Sequence, residues 1–197
     1  MITTEQIKDL RDRTGISIMQ CKKALEESNG DMEKAIIVLS KKSSQIAEKK
    51  SGRNLGSGVV QAYIHAGGSV GSMVELLCET DFVAKNEEFK ALAYDIAMQV
   101  AATNPEFLRK EDISEEDREK VKEVFAEQME EEKKDQPAEL KEKILQGKID
   151  AHFREKVLLE QMYIKDPSLS INNLVESAIQ KFGEKTEVGQ FIRFSVN

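Results

Sequence analysis

The sequence has no tryptophan, only two histidines, two cysteines and three prolines, and no apolar run long enough to span a membrane, for which roughly 18 residues are needed. Residues 1–10 carry no apolar h-region and read as the start of a helix, so neither a secretory signal nor a membrane anchor is expected, and a cytoplasmic location is. Cys21 and Cys78 lie in apolar patterns, far apart and without partners at metal-ligand spacing. Two buried thiols in a reducing compartment account for them, and no metal site is expected. His65 and His152 leave little material for general-base chemistry. No Ser or Cys sits in a nucleophile context. Gly52, Gly56 and Gly58 are too widely spaced for a phosphate loop and lack its Lys-Ser/Thr ending. An enzyme of covalent chemistry and a bound cofactor are therefore both unexpected. Charge excludes a further class: 29 Lys+Arg against 36 Asp+Glu give −7, with aromatics at 6%. Such a chain is poorly suited to coating a phosphate backbone, so the partner is expected to be protein, not nucleic acid.

What is present is an ordered series of helix and strand signals. Residues 1–43 read as three short helices. Thr3 with Gln6, and Ser17 with Gln20, have capping-box spacing, Ile2 and Ile7 can staple the first box, and Gly15 and Gly30 supply stops. Ile7, Leu10, Cys21, Leu25, Ala35, Ile36 and Leu39 are the expected core of this unit, which is small enough to gain from docking on something else. Residues 44–57 lose the periodicity and read as a linker. Val60, Ala62 and Ile64 then alternate, Gly67-Gly68 turns the chain, and Val70, Val74, Leu76 and Cys78 return, predicting a hairpin with one apolar face. A helix over about 87–103 follows. Ser114 with Asp117 opens another, running acidic to Lys134, and Pro137 starts its partner, with Leu140, Ile144, Ile149, Phe153 and Val157 as a seam. Ser170 opens a last helix stopped by Gly183, and Gln190, Ile192, Phe194 and Val196 alternate as a strand. The predicted class is α+β: a three-helix domain over 1–43, a core of a small three-stranded antiparallel sheet packed with helices over 58–112 and 165–197, and an inserted helical hairpin over 113–164.

The most informative segment is Glu79-Thr80-Asp81-Phe82-Val83-Ala84-Lys85-Asn86, which joins the second strand to the helix after it. Asn86 can cap that helix, and Glu87 and Glu88 suit its positive end. Phe82 has two readings. It closes the core over the helix, or it is a rigid aromatic offered by a loop on a firm scaffold, the anatomy of a binding anchor.

A second block, LRDRTG at 10–15 followed by MQCKKALEESNGDMEKAI at 19–36, stands about fifty residues before ETDFVAKNEEF. These two blocks, in this order, resemble the two signatures of the elongation factor Ts family, and NPEF at 104–107 and FIRF at 191–194 extend the resemblance over nearly the whole chain. The resemblance implies guanine-nucleotide exchange on elongation factor Tu. It also implies an N-terminal domain similar to ubiquitin-associated domains that grips the partner's nucleotide domain, and a projecting helical arm. Carried over residue by residue, Thr80, Asp81, Phe82 and Val83 form the contact motif. Its aromatic is expected to insert into elongation factor Tu and shift the elements that hold Mg²⁺ and phosphate. Lys22 falls on the lysine of the N-terminal segment, His65 on the histidine of the first core strand, and Phe182 and Gly183 on a second contact stretch. Phe182 and Lys185 depart from that stretch, which is Ile-Gly-Glu-Asn in the family, and Ile16 and Ser17 replace smaller residues. Longer members carry two core copies; this chain reads as one, which favours a homodimer through an exposed sheet edge. The rival reading is an adaptor in which the three-helix domain recruits unrelated proteins and the core is only structural.

Overall fold

The computed structural model describes residues 2–132 and 137–196, and the chain divides into two compact units, Met1–Ala102 with Met162–Asn197, and Thr103–Gln161. Helix α1 (Thr4–Thr14) opens with the expected box: Gln6 N donates to Thr3 Oγ1 at 3.2 Å and Thr3 N to Gln6 Oε1 at 2.9 Å. It ends at Gly15, whose φ of 67° no β-carbon opposes. At the start of α2 (Ile18–Glu27) the second expected box does not form, because the Ser17 hydroxyl donates to the Gln20 side chain instead of capping the backbone. Asp31 caps α3 through Lys34 N at 3.1 Å.

Helix α3 covers Met32–Lys50, so residues 44–50 of the expected linker are helical. Their missing apolar period has a physical reason: polar side chains hold this stretch. Ser43 Oγ donates to Gln180, Ser44 Oγ to Glu176 at 2.6 Å, and Lys50 Nζ to the Gly183 carbonyl at 2.6 Å. The predicted core of the first three helices is present, with Ile7 half-buried, and it is shared. Leu10, Cys21, Leu25, Ile36 and Leu39 form one buried cluster with Leu169, against which Leu174 also packs.

The sheet has the order β1-β2-β5, all antiparallel, with β1 at Ser57–Ile64, β2 at Val70–Cys78 and β5 at Thr186–Ser195. Gly67 and Gly68, at φ 94° and 72°, make the hairpin turn. Ser72, Val74, Leu76 and Cys78 face inward, and α5 (Glu87–Thr103) lies on them, Ser72 Oγ donating to the Ala97 carbonyl at 2.5 Å. The register sets Gln61 opposite Val74 and Val59 opposite Leu76. It therefore turns the expected apolar face of β1 outward, leaving Val60 and Ile64 exposed. Strict alternation cannot say which side is inside; pairing with the more apolar strand decides it. In β5 a register shift opposite Val74–Leu76 puts Thr186 and Val188 inside and Ile192 and Phe194 outside.

Between the two ends of the core, β3 (Met162–Tyr163) and β4 (Asp166–Ser170) form a second, two-stranded sheet that the sequence pattern did not announce. The fully buried Gln99 fixes it, donating to the Met162 carbonyl and accepting from Ile164 N. Helix α8 (Ile171–Phe182) begins with a Ser170/Asn173 capping box and ends at Gly183, φ 72°. A one-turn helix, α4 (Asp81–Ala84), joins β2 to α5.

The second unit is built on α6 (Glu115–Glu132) and α7 (Ala138–Lys156). Ile113, Ile149, Phe153 and Val157 are its core, flanked by Phe107, Val121, Phe125 and Leu145. Of the expected seam, Leu140 is exposed; the helix end expected at Lys134 lies outside the described residues. Among the described residues the architecture is α+β, with eight α-helices and these two antiparallel sheets.

Candidate contact site

The strand-to-helix connection overturns the core reading of Phe82. In a helix, successive side chains point about 100° apart, so one turn has an inner and an outer side. In α4 Val83 and Ala84 take the inner side and are buried, while Phe82 is 81% exposed. Ala84 N and Lys85 N close the turn on the carbonyls of Thr80 and Asp81, at 3.2 and 3.0 Å. Asn86 Oδ1 accepts from Glu88 N at 2.8 Å and starts α5 as predicted. Asp81 is exposed beside Lys85, whose Nζ is 2.6 Å from Oδ2; that ammonium holds the Asp81 carboxyl below the usual carboxylate range. The outer side of α4 thus offers one apolar ring next to one ionised carboxylate.

The end of α8 meets this connection. Phe182 is half-buried and rests edge-on against the buried Phe89, ring centres 5.7 Å apart. Beyond Gly183, Glu184 reaches across to the start of α4: Oε2 accepts from Glu79 N at 3.1 Å and Thr80 N at 3.0 Å, and Oε1 from the Thr80 hydroxyl at 2.6 Å. In return Glu79 Oε1 accepts from Lys185 N at 2.6 Å and pairs with Arg53 at 3.1 Å. The Lys185 amide is the main reason the Glu79 carboxyl sits below its ordinary range. Burial, and then the Glu184 charge, push the Cys78 thiol up. The pairings of Glu79 with Arg53 and Lys185, of Glu184 with the start of α4 and of Lys50 with Gly183 have no local pattern in the sequence, because the partners lie from 26 to 133 positions apart.

Thr80, Asp81, Phe82, Val83, Phe182 and Gly183 are therefore brought together, with the Val83 side chain buried on the inner side of the turn. His65 is not among them. It follows β1 at the turn end of the hairpin, where its Nδ1 lies 3.1 Å from the Tyr63 hydroxyl. Eight residues of strand at about 3.3 Å each separate it from the end that carries α4. Lys22 is exposed on α2, with Glu26 at 3.9 Å, and Ile18 and Met19 are exposed at the start of the same helix. The α1–α2 turn approaches the same region: a β-carbon on Gly15 would lie 3.6 Å from Lys181 Nζ, and Lys181 is paired with Glu88 at 2.9 Å. Among the described residues there is no cluster of possible metal ligands, and no helix is long and apolar enough to cross a membrane.

Comparison with known proteins bears on the family of the whole chain. The family model for elongation factor Ts matches residues 17–197. The elongation factor Ts of Carboxydothermus hydrogenoformans is 49% identical over 196 residues, which are 100% of this chain and 89% of that protein. The elongation factor Ts of Desulforamulus reducens is 48% identical over 99% of this chain and 89% of its own length, and that of Thermotoga neapolitana 46% over 99% and 97%. With two sequence blocks, the fold class and full-length relatives in agreement, the chain belongs to the elongation factor Ts family.

Proposed function

We propose that this chain is a guanine-nucleotide exchange factor for elongation factor Tu in translation elongation, and that Phe82 and Asp81 are the parts that act on the partner. The observation that supports this most is the exposure of Phe82 on a turn whose other two apolar side chains are buried. A rigid aromatic presented by a connection on a firm scaffold is the usual anatomy of a binding anchor. On this reading Phe82 inserts into the partner's nucleotide domain and shifts the elements around Mg²⁺ and the phosphates, with Asp81 beside it. Once the cation's hold is loosened, the phosphate charge is poorly compensated. Each tenfold of weakened nucleotide affinity requires about 1.4 kcal/mol of differential interaction. Lys22, with Ile18 and Met19 nearby, would grip the same partner from the three-helix domain. The chain carries no covalent chemistry in this role.

The rapid test is release of fluorescent GDP from purified elongation factor Tu. Micromolar chain is expected to accelerate it strongly, and an unchanged rate would end this reading. The outer sheet face supports self-association as a homodimer: Val60, Ile64, Met73, Ile192, Phe194 and Val196 are all exposed, and β1 and β5 are both edge strands.

A further inference from the structure

We propose that Glu184 is a positioning residue for the exposed turn: its carboxylate fixes the start of α4 and, through it, the direction in which Phe82 projects. The functional half of this proposal rests on the exchange reading above; the structural half does not.

A single helical turn has no stability of its own, because nucleation costs more than one turn of hydrogen bonds returns. Val83 and Ala84 hold the inner side of α4. Its first residues need another support, and the local one is missing. Thr80 occupies the N-cap position, where a threonine hydroxyl ordinarily accepts from a backbone N–H of the first turn. Here it makes no such bond, and donates outward to Glu184 Oε1 at 2.6 Å. The other carboxylate oxygen takes the backbone N–H groups of Glu79 and Thr80 at 3.1 and 3.0 Å. Three donors converging on the two oxygens of one carboxyl group set both position and rotation.

The clamp is also reciprocal. Cys78 and Thr186 are the last backbone pair between β2 and β5. Past that pair two side-chain carboxylates continue the connection, Glu184 onto the chain leaving β2 and Glu79 onto the Lys185 N–H entering β5. Glu184 is itself held at its base, since Lys50 Nζ donates to the Gly183 carbonyl at 2.6 Å. The arrangement joins the end of α8, the end of α3 and the turn bearing Phe82 without touching the exposed ring.

The test uses Glu184→Ala and Glu184→Gln in the full chain. The glutamine oxygen can take both backbone N–H groups while its amide donates to Thr80 Oγ1, so Gln should rescue what Ala loses. At saturating chain, E184A is expected to slow GDP release about tenfold or more with less than about a threefold change in the half-saturating concentration, and E184Q to stay within about threefold of the parent. A merely structural role would lower the melting temperature and active fraction but leave the saturated rate unchanged; that outcome overturns the proposal. The second measurement needs no partner. Hydrogen exchange at the Ala84, Lys85 and Asn86 amides, which close the turn, is expected to quicken about tenfold in E184A while β5 amides are unaffected. Unchanged exchange there overturns the positioning role whatever happens with elongation factor Tu. If the parent chain itself fails to stimulate release, the exchange reading falls and the amide measurement alone decides the role of Glu184.

Discussion

Replacing Phe82 by alanine separates an exposed wedge from a core side chain by magnitude alone. Fully burying a phenylalanine side chain is worth about 1.5–3 kcal/mol. Phe82 is 81% exposed, so about a fifth of that, roughly 0.3–0.6 kcal/mol, is the folding contribution at stake. Alanine is also the better helix former by about half a kcal/mol, which offsets the loss inside α4. The net expectation is close to zero, a melting shift within about 1–2 °C for a chain of this size. A core phenylalanine would instead cost about 3–5 kcal/mol on truncation. Stimulated GDP release should respond in the opposite sense, slowing about tenfold or more, equivalent to about 1.4 kcal/mol of transition-state stabilisation. Calorimetry and stopped-flow release on one preparation give both numbers. A melting temperature lower by ten degrees or so, with a normal rate from the surviving folded fraction, would refute the argument, because the ring would then be acting on this chain's own core.

Leu169→Ala tests whether the three N-terminal helices share a core with the rest of the first unit: truncating this buried side chain should cost about 2–5 kcal/mol and lower one common unfolding transition. If only part of the melt moves, the shared cluster is not what couples them. Phe194→Asp, on the outer sheet face, should convert a dimer to a monomer in light scattering without loss of circular dichroism; a parent chain that is already monomeric ends that idea. For pH, Glu79 has a folded value depressed mainly by the Lys185 amide. Its contribution is therefore fully present above the unfolded value and is lost only as pH falls through the lower folded one. A carboxyl NMR titration should place Glu79 below an ordinary glutamate, and a midpoint at or above the ordinary value would contradict the clamp.

The features that were legible in the sequence are those with local chemistry. Thr3 with Gln6, Ser170, Asn86, Gly15 and Gly183 announce helix ends through bonds that span at most three or four residues. What was illegible depends on partners far along the chain. Val60, Ala62 and Ile64 form an honest alternating strand, yet β2 is the more apolar neighbour and its register turns them outward. Residues 44–50 looked like linker because side-chain hydrogen bonds to α8, and not an apolar stripe, hold them helical. Phe82 was ambiguous for a similar reason: its exposure follows from Val83 and Ala84 occupying the inner side of the turn, and the order of three apolar residues does not say which will. Glu184 and Thr80 are 104 positions apart, and no periodicity can pair them. The location of His65 at the far end of the hairpin was equally invisible to motif matching.

The bonds that hold this turn bear directly on how an exchange factor must work. Linkage requires that a partner which weakens GDP binding be weakened equally by GDP. The usable quantity is the difference in interaction between the two states of elongation factor Tu, not the total grip. If Asp81–Ala84 were unfolded in the free chain, ordering four residues at about 1–2 kcal/mol each would consume several kcal/mol on binding. That loss equals several tenfold steps of nucleotide weakening at about 1.4 kcal/mol each. A turn already formed, with Val83 and Ala84 buried and its first residues held by Glu184, avoids that loss. On the proposed exchange reading Phe82 then meets the partner as a preset wedge, and the strain of accommodating it falls on the nucleotide site and not on the factor that carries it.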